Sequence, residues 1–475
     1  MSIKSSWSMI PVIGNQLCVI VYIIVSVPLL VIFPTLHAIS TNADPFVYGG
    51  LIACSILLFI LPCLYISSQV SSRFLAPMAK PSSKSHLPII LFITGVAIYA
   101  IAFSYFTFSY DLFFRRVGFA GLVERSMRIP FYGLIIHRSF MENAVTLTCA
   151  LAFLLVLTPM PRITRVYAAF VLIATFLLYS SFVLSNNRFQ SGILFVCICL
   201  AVAYSWPKKW NRFYLALVIG GIAALSAYSF KVTENIRTEI YLSGHVTPIA
   251  LNPLLSTRDI YEATKSSLDD GEATDLMKQL RQAEASGMLT DGQNPAVEDV
   301  LAAQIERPLK ERLNGLDLMA QITRPAFERG FGWGRFWVQP ISLYYYYFAD
   351  QEKFLEMKEE LRTNPKVYIA SFYLGKEIDD IPSSILTDSY ANFSIFAFPA
   401  VAIIIGVLLG GVNTTLRSTT SAGAALLAFF VLEKALYVEK EMFALIIDLV
   451  KFSPVPLVAA WLLWHVPIKR DNQPR

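Results

Sequence analysis

Three short stretches of this 475-residue chain carry the residues best suited to chemistry on an anionic substrate. The first is SNNRFQSG (185–192), in which Arg188 stands between two apolar stretches. An arginine there is costly unless it snorkels to lipid headgroups or holds a ligand. Because its planar guanidinium binds phosphate through two hydrogen bonds and keeps its charge, Arg188 is a candidate phosphate ligand.

The second stretch is ERLNGLDLMAQITR (311–324), which holds Arg312, Asp317 and Arg324. Taken singly, each residue fits an ordinary ion pair facing solvent. Taken as a set with Arg188, these residues could clamp a diphosphate. The spacing therefore allows both a structural and a catalytic interpretation.

The third stretch, LTDSYANFSIFAFP (386–399), enters a late apolar segment with Asp388, Tyr390 and Asn392 at its boundary. A tyrosine at that depth is commonly an interface anchor. An acid beside a hydroxyl and an amide could also bind sugar hydroxyls, and Asp388 could act as a base.

A basic loop at 109–141 includes Arg128 among five arginines mixed with Phe, Leu and Ile. This composition is typical of a helix lying in the membrane interface. The arginines either anchor headgroups or form a vestibule for an anionic lipid-linked substrate. Trp333, Trp337 and the tyrosines at 344–347 could likewise stack against sugars or anchor the chain at the interface.

Apolar segments must position all of these residues, since the chain is 55% hydrophobic and only 15% charged. A spanning helix needs roughly 20 apolar residues. Hydropathy predicts an all-α polytopic integral membrane protein with about ten transmembrane helices. They lie near 16–36, 47–68, 87–108, 142–160, 164–184, 189–206, 213–230, 389–411, 419–437 and 442–465.

The chain therefore divides into helices one to seven (1–230), one large loop (231–388), and helices eight to ten with the C-terminus (389–475). Lysines and arginines concentrate in the short segments on one side, where Asp471 is the only acid. The positive-inside rule makes that side cytoplasmic, with both termini, and turns the large loop outward. Within the loop, Ser256–Ser286 and Pro295–Ile322 have the periodicity of amphipathic helices.

Several classes of function lack their motifs. All six cysteines fall inside predicted spans, and no Cys/His spacing indicates a metal site, so we predict no metal and no cofactor. There is no Walker A loop, HExxH or GxSxG motif. Charged residues are nearly missing from the first eight spans, which argues against an ion-coupled transporter. No nucleic-acid partner is expected.

Three motifs in this order resemble the Wzy-type oligosaccharide repeat unit polymerases, which build O-antigen and related surface polysaccharides. They are the outward turn NNRFQSGI (186–193), RLNGLDLM (312–319) in one large loop, and DSYANFSIFAFPAVAIIIGVLLGG (388–411). The first has SNNR where the family pattern has a small residue, Ser and Arg. The third has Asn-Phe-Ser where the pattern has Asn-Phe-Gly.

The resemblance implies a GT-C-like glycosyltransferase of the bacterial inner membrane, with the large loop in the periplasm. Such an enzyme joins undecaprenyl-diphosphate-linked oligosaccharides without a metal, and a chain-length-determining co-polymerase is a candidate partner. It implies Arg188, Arg312, Asp317 and Asp388 as catalytic residues. Arg324, Tyr390, Asn392 and Arg128 would bind substrate.

Two other functions fit part of the same pattern. An O-antigen ligase, which transfers finished glycan to lipid A core, would share the topology and the outward arginines. Ligases usually have a histidine near the return of the large loop into the membrane, whereas His245 lies near the start of this loop. A transporter or flippase of lipid-linked sugars would need no large loop. A non-catalytic assembly subunit is a further alternative.

Overall fold

In the computed structural model, the described residues are 17–41, 43–73, most of 231–267, a few positions in 274–282, 314–338, 349, 353, 365–375, 383–438, 441–451 and 453–467. They are helical, and their only strand-like pairing is an isolated bridge between Ser421 and Pro467. Three helices are long and apolar enough to cross a membrane, at Cys18–Thr41, Pro45–Ser71 and Thr387–Ser418. The chain is thus a helical protein with the features of a membrane-embedded one.

These three helices correspond to the predicted spans at 16–36, 47–68 and 389–411. The bent pair Met442–Val450 and Pro454–Leu462, in the region of the last predicted span, would be a fourth if it counts as one span. The region 419–437 forms a helix of 15 residues, Ala422–Leu436. The other five predicted spans lie outside the described residues, so the total of ten stays a prediction.

The helices are numbered in chain order. They are α1 (Leu17–Val27), α2 (Phe33–Thr41), α3 (Pro45–Cys54), α4 (Leu61–Arg73), α5 (Thr257–Ser267), α6 (Asp317–Arg329), α7 (Pro365–Leu374), α8 (Thr387–Phe393), α9 (Phe398–Ser418), α10 (Ala422–Leu436), α11 (Met442–Lys451) and α12 (Pro454–Leu462). Wide π-type turns at Pro28–Ile32 and Ser55–Ile60 continue α1 into α2 and α3 into α4.

Contacts group the chain into two compact units, each assembled from three stretches. The first contains the described residues of Met1–Pro77, Pro308–Ser418 and Val431–Lys451. The second contains those of Met78–Arg307, Thr419–Phe430 and Phe452–Arg475. The predicted division of the chain at 230 and 388 stays a prediction.

In the first unit, the core forms where α9 packs along α4. A Cβ at Gly410 would lie 2.7 Å from the Val70 Cβ and 2.8 Å from the Ser67 carbonyl oxygen, so only glycine permits this approach. The Asn413 amide donates to the Ser71 hydroxyl at 3.2 Å across the same contact. Small residues and interhelical hydrogen bonds are the usual basis of helix packing in membranes.

Charged residues that interrupt the predicted span 419–437 are buried in the first unit. Lys434 Nζ lies 3.2 Å from Glu433 Oε1, and both side chains are almost fully buried. Removing one member of such a pair would leave an uncompensated charge in an apolar core. The pairing explains how an apolar helix accommodates two adjacent charges.

In the second unit, α5 begins with a reciprocal cap. The Ser256 backbone N–H donates to Asp259 Oδ2 at 2.8 Å, and the Asp259 N–H donates to the Ser256 hydroxyl at 3.1 Å. These bonds to Ser256 lower the pKa of Asp259. The predicted amphipathic helix 256–286 thus has a defined start, and its first helical segment ends at Ser267.

Candidate active site

A polar cluster forms around Asp317 in the first unit. Asp317 Oδ1 accepts a hydrogen bond from the Tyr48 hydroxyl at 3.0 Å, and Oδ2 accepts one from the Gln321 amide at 3.0 Å. His37 Nε2 lies 3.8 Å from Asp317 Oδ1. The Asp317 side chain is 15% exposed and that of His37 is 25% exposed, so the carboxylate and the imidazole are both accessible.

Two local structures bring this cluster together. Asp44 caps α3 by accepting from the Phe46 N–H at 2.9 Å, with Pro45 at the first helical position, and this orients the helix that carries Tyr48. On the other side, the Gly315 N–H donates to the Leu29 carbonyl oxygen at 3.0 Å in the wide turn. A Cβ at Gly315 would lie 3.0 Å from that same oxygen, so the start of α6 needs a glycine.

The predicted loop helix at Pro295–Ile322 has different bounds in the described part of the chain. Its last residues belong to α6, which starts at Asp317 and runs on to Arg329. Asn314–Leu316 form a turn before it, in which the Asn314 amide donates to the Tyr48 hydroxyl at 3.3 Å. The asparagine and glycine interrupt the helical pattern, and the tertiary contacts with Leu29 and Tyr48 hold the turn.

Asp388 lies in a second, closed cluster. Its Oδ1 accepts the Met442 N–H at 3.0 Å and its Oδ2 accepts the Phe443 N–H at 2.8 Å, at the start of α11. The Trp337 indole N–H also donates to Oδ2, at 2.9 Å. Asp388 is fully buried. A carboxylate at a helix start accepts orphan N–H groups, so this residue joins α8, α11 and the loop at Trp337.

Asn392, one helical turn beyond Asp388, holds the glycine-rich turn GFGWG (330–334) in place. Its Oδ1 accepts the N–H groups of Gly334 at 2.9 Å and Phe336 at 3.2 Å. Its Nδ2 donates to the Asp388 carbonyl oxygen at 2.9 Å. Asn392 is fully buried, and the two bonds that its Oδ1 accepts connect this turn to α8.

Two tyrosines also belong to the closed cluster around Asp388. The Tyr390 hydroxyl donates to the Thr323 hydroxyl at 3.1 Å, which ties α8 to α6. The Tyr373 hydroxyl lies 3.0 Å from the Gly330 carbonyl oxygen. Burial, followed by the proximity of Tyr390, raises the pKa of Tyr373 to about 12, so it remains a hydrogen-bond donor at neutral pH.

The sequence-predicted site residues thus fall into separate environments. The closed cluster contains Asp388, Tyr390 and Asn392. Asp317 lies in the other cluster, which is partly exposed and is called the open cluster. Arg324 lies two turns along α6 from Asp317, is 90% exposed, and pairs with Glu328 at 2.8 Å. The remaining three predicted residues, Arg128, Arg188 and Arg312, lie outside the described residues.

Two members of the open cluster, His37 and Tyr48, were not among the predicted site residues. Both flank the short connection between the first two spans, which the predicted topology puts on the outward side. The same topology puts the large loop on that side, so shared sidedness was the available signal. It does not say which loop residue reaches them.

No group of three or more His, Cys, Asp or Glu in the part of the chain that is described could hold a metal ion. Comparison of the whole chain with protein-family models, with curated proteins and with solved structures finds no match.

Proposed function

We propose that the protein is a glycosyltransferase that polymerises undecaprenyl-diphosphate-linked oligosaccharide repeat units at the periplasmic face of a bacterial inner membrane. The observation that carries the proposal is the partly exposed Asp317 carboxylate, 3.8 Å from an imidazole, at the ends of two apolar helices. A general base needs a carboxylate that a substrate hydroxyl can reach. The resemblance of three ordered motifs to the polymerase family points to the same reaction.

In the proposed reaction, a hydroxyl of the incoming lipid-linked unit attacks the anomeric carbon of the growing glycan. A new carbon–oxygen bond forms while the bond to the lipid diphosphate breaks, and the diphosphate leaves with the bonding electrons. The hydroxyl proton passes to Asp317. Tyr48 and Gln321 hold that carboxylate through hydrogen bonds to its two oxygens.

The leaving diphosphate needs positive charge, which the proposal assigns to Arg188 and Arg312. Stabilisation of developing charge by fixed groups usually contributes more to catalysis than any other single effect. Arg128 and Arg324 would attract the anionic lipid-linked substrate before reaction. Asp388, Tyr390 and Asn392 take a positioning role here, because their polar atoms are engaged by the chain itself.

The test is complementation of a deletion strain, followed by gel analysis of its lipopolysaccharide or other surface polysaccharide. Asp317→Asn, Arg188→Ala and Arg312→Ala should each reduce a ladder of repeats to a single repeat on lipid A core, with normal protein levels. The control is Glu262→Gln on α5, which removes an exposed carboxylate far from these residues in the sequence and should leave the ladder intact. Normal ladders in all three variants would refute the site.

The deletion strain itself separates the alternative functions. A polymerase deletion leaves the single-repeat band, because one unit is still flipped and ligated. Loss of that band as well would identify a ligase or a flippase in place of a polymerase.

A further inference from the structure

Two tryptophans four residues apart in the turn after α6 have different environments. The Trp337 indole N–H is committed to Asp388, and its ring lies 5.2 Å from that of Phe393. The Trp333 side chain is 80% exposed, and its indole N–H has no hydrogen-bond partner among the residues that the structure describes. The Trp333 ring also meets that of Phe393 edge-on, with 6.1 Å between centroids, but most of the ring is exposed and its indole N–H is available to donate.

The backbone that carries Trp333 is held in an unfavourable conformation. Its φ is +49°, in the left-handed region that bulky residues rarely adopt. The glycines on either side of it differ in role: Gly334 has φ +93°, and a Cβ at Gly332 would lie 2.5 Å from the Phe336 ring. Strain of this kind persists only where surrounding contacts impose it.

Those contacts are hydrogen bonds to the start of the membrane helix. The Gly332 N–H donates to the Ala391 carbonyl oxygen at 2.9 Å, and the Trp333 N–H donates to the Asn392 carbonyl oxygen at 3.0 Å. The Gly334 N–H donates to Asn392 Oδ1. Three consecutive residues are thus fixed to one buried segment, so the exposed indole sits on a rigid support.

We infer that Trp333 is a saccharide-binding platform, on which one sugar ring of the lipid-linked glycan stacks. The C–H face of a pyranose packs against the electron-rich face of an indole, and the free N–H can donate to a ring hydroxyl. The inference rests on the proposed function for its ligand. Trp333 lies four residues beyond the end of α6, and Asp317 is the first residue of that helix, about 18 Å away along its axis. An oligosaccharide of several sugars can span this distance, so the platform would hold a ring remote from the reacting one.

A tryptophan at a membrane interface is the competing interpretation, in which lipid covers the ring. Interface anchoring benefits from a ring at the right depth but does not require a strained, rigid support. In one interpretation a saccharide protects the Trp333 ring from solvent, and in the other lipid does. Supplying saccharide and lipid in separate experiments distinguishes them.

The experiment uses the full chain in nanodiscs of phosphatidylethanolamine and phosphatidylglycerol. The probe is a two-repeat oligosaccharide released by mild acid from the surface polysaccharide of the producing strain. Hydroxyl-radical footprinting with mass spectrometry should show oxidation of Trp333 slowed about threefold or more by this probe, as a stacked ring loses access to solvent. Trp461 is the internal reference, and its oxidation rate should not change when the probe is added. Maltotriose is the control sugar, and it should not slow the oxidation of Trp333.

Matched variants keep the test independent of folding. Trp333→Asn removes the ring but tolerates a left-handed backbone, and should weaken probe binding about tenfold, as stacking and one hydrogen bond are lost. Trp333→Phe keeps an aromatic face and should retain most of the binding. Equal binding by the wild type and Trp333→Asn would overturn the platform.

Lipid contact is measured as quenching of tryptophan fluorescence by brominated acyl chains in the nanodiscs. The fluorescence of Trp333 is the difference between the wild type and Trp333→Phe. Quenching of that fluorescence would assign the ring to the bilayer and overturn the inference. Footprinting reports binding and not turnover. The Trp333 platform and the catalytic role of Asp317 can therefore be refuted independently. Protection of Trp333 together with a normal Asp317→Asn ladder would keep the platform and reject the base.

Discussion

Asp317 and Asp388 were equivalent candidates for a catalytic base in the sequence, and the fold gives them different environments. Asp388 is fully buried and receives N–H groups from Met442, Phe443 and Trp337. Asp317 is partly exposed, with a phenol and an amide as donors and His37 nearby. A carboxylate that is saturated by buried donors stabilises structure, whereas one with an open side can meet a substrate hydroxyl.

The comparison also separates two kinds of motif that a single sequence cannot distinguish. The family-like stretch DSYANF acts here as an assembly point for the loop, since Asp388, Tyr390 and Asn392 all bond to other segments. The family-like stretch NGLD brings its acid to the ends of the first two spans. Variants of these residues should therefore fail in different ways.

The largest effect is expected for Asp388→Ala. It leaves the Met442, Phe443 and Trp337 N–H donors without their acceptor, at about 1–3 kcal/mol for each buried group left unsatisfied. We expect a strongly lowered unfolding temperature in detergent and little protein in the membrane. Ser418→Ala, which removes a hydroxyl that donates to the Thr414 carbonyl oxygen within α9, is the control and should have a small effect. A stable but inactive Asp388→Ala protein would reverse the assignment of the two acids.

A smaller loss of stability is expected for Asn392→Ala. The Gly334 and Phe336 N–H groups lose their acceptor, at about 1–3 kcal/mol for each group left unsatisfied in a buried site. Detergent-solubilised protein should unfold at a lower temperature, and limited proteolysis should cleave near 330–338 sooner. Unchanged proteolysis there would show that Asn392 does not hold the turn.

Tyr48→Phe should affect activity more than stability. It removes one donor to Asp317 and deprives Asn314 of a partner, while the ring and its packing remain. A loss of about 1.4 kcal/mol in transition-state stabilisation is tenfold in rate. The expected result is shorter chains on the polysaccharide gel at normal protein level. Tyr65→Phe, an exposed tyrosine on α4, is the control.

The smallest effect, and one of opposite sign, is expected for Ser394→Gly. Ser394 has φ +59° and ψ −160°, a region that glycine adopts without steric cost. Relief of this strain should stabilise the protein by about 1 kcal/mol, measured as a higher unfolding temperature. Gly330→Ala is the reverse control, because Gly330 has φ +87° with open space around it and should lose a similar amount. Destabilisation by Ser394→Gly would show that the serine hydroxyl matters more than the backbone.

Ser394 also occupies a position where the polymerase pattern that the sequence resembles has a glycine. The pattern has Asn-Phe-Gly where this chain has Asn-Phe-Ser. A short 3-10 segment, Ser394–Ala397, joins α8 to α9, and the dihedral angles of Ser394 at its start are those of a glycine position. The serine keeps this backbone conformation at a cost in strain, which the sequence pattern alone could not reveal.

Hydropathy located the described apolar helices well, because a helix that crosses a membrane must be apolar along its whole length. It also placed the start of this span at 389, within two residues of the start of the helix Thr387–Ser418. The start of α6 was missed, since the Asn-Gly turn there is held by the distant Leu29 and Tyr48. Contacts between segments that are distant in the chain leave no pattern in the local sequence of either segment.

The sequence by itself determined that the chain is helical and apolar, with one long polar stretch at 231–388, and it supplied the small set of acids, arginines and aromatics to consider. Only the tertiary structure decided that Asp388 is buried and that Asp317 lies beside His37 and Tyr48. It also decided that the Trp333 ring is exposed, whereas the Trp337 indole donates to Asp388. The reason is physical. Periodicity and hydropathy act on neighbouring residues, whereas the role of a polar side chain depends on which donors and how much solvent the folded chain brings to it.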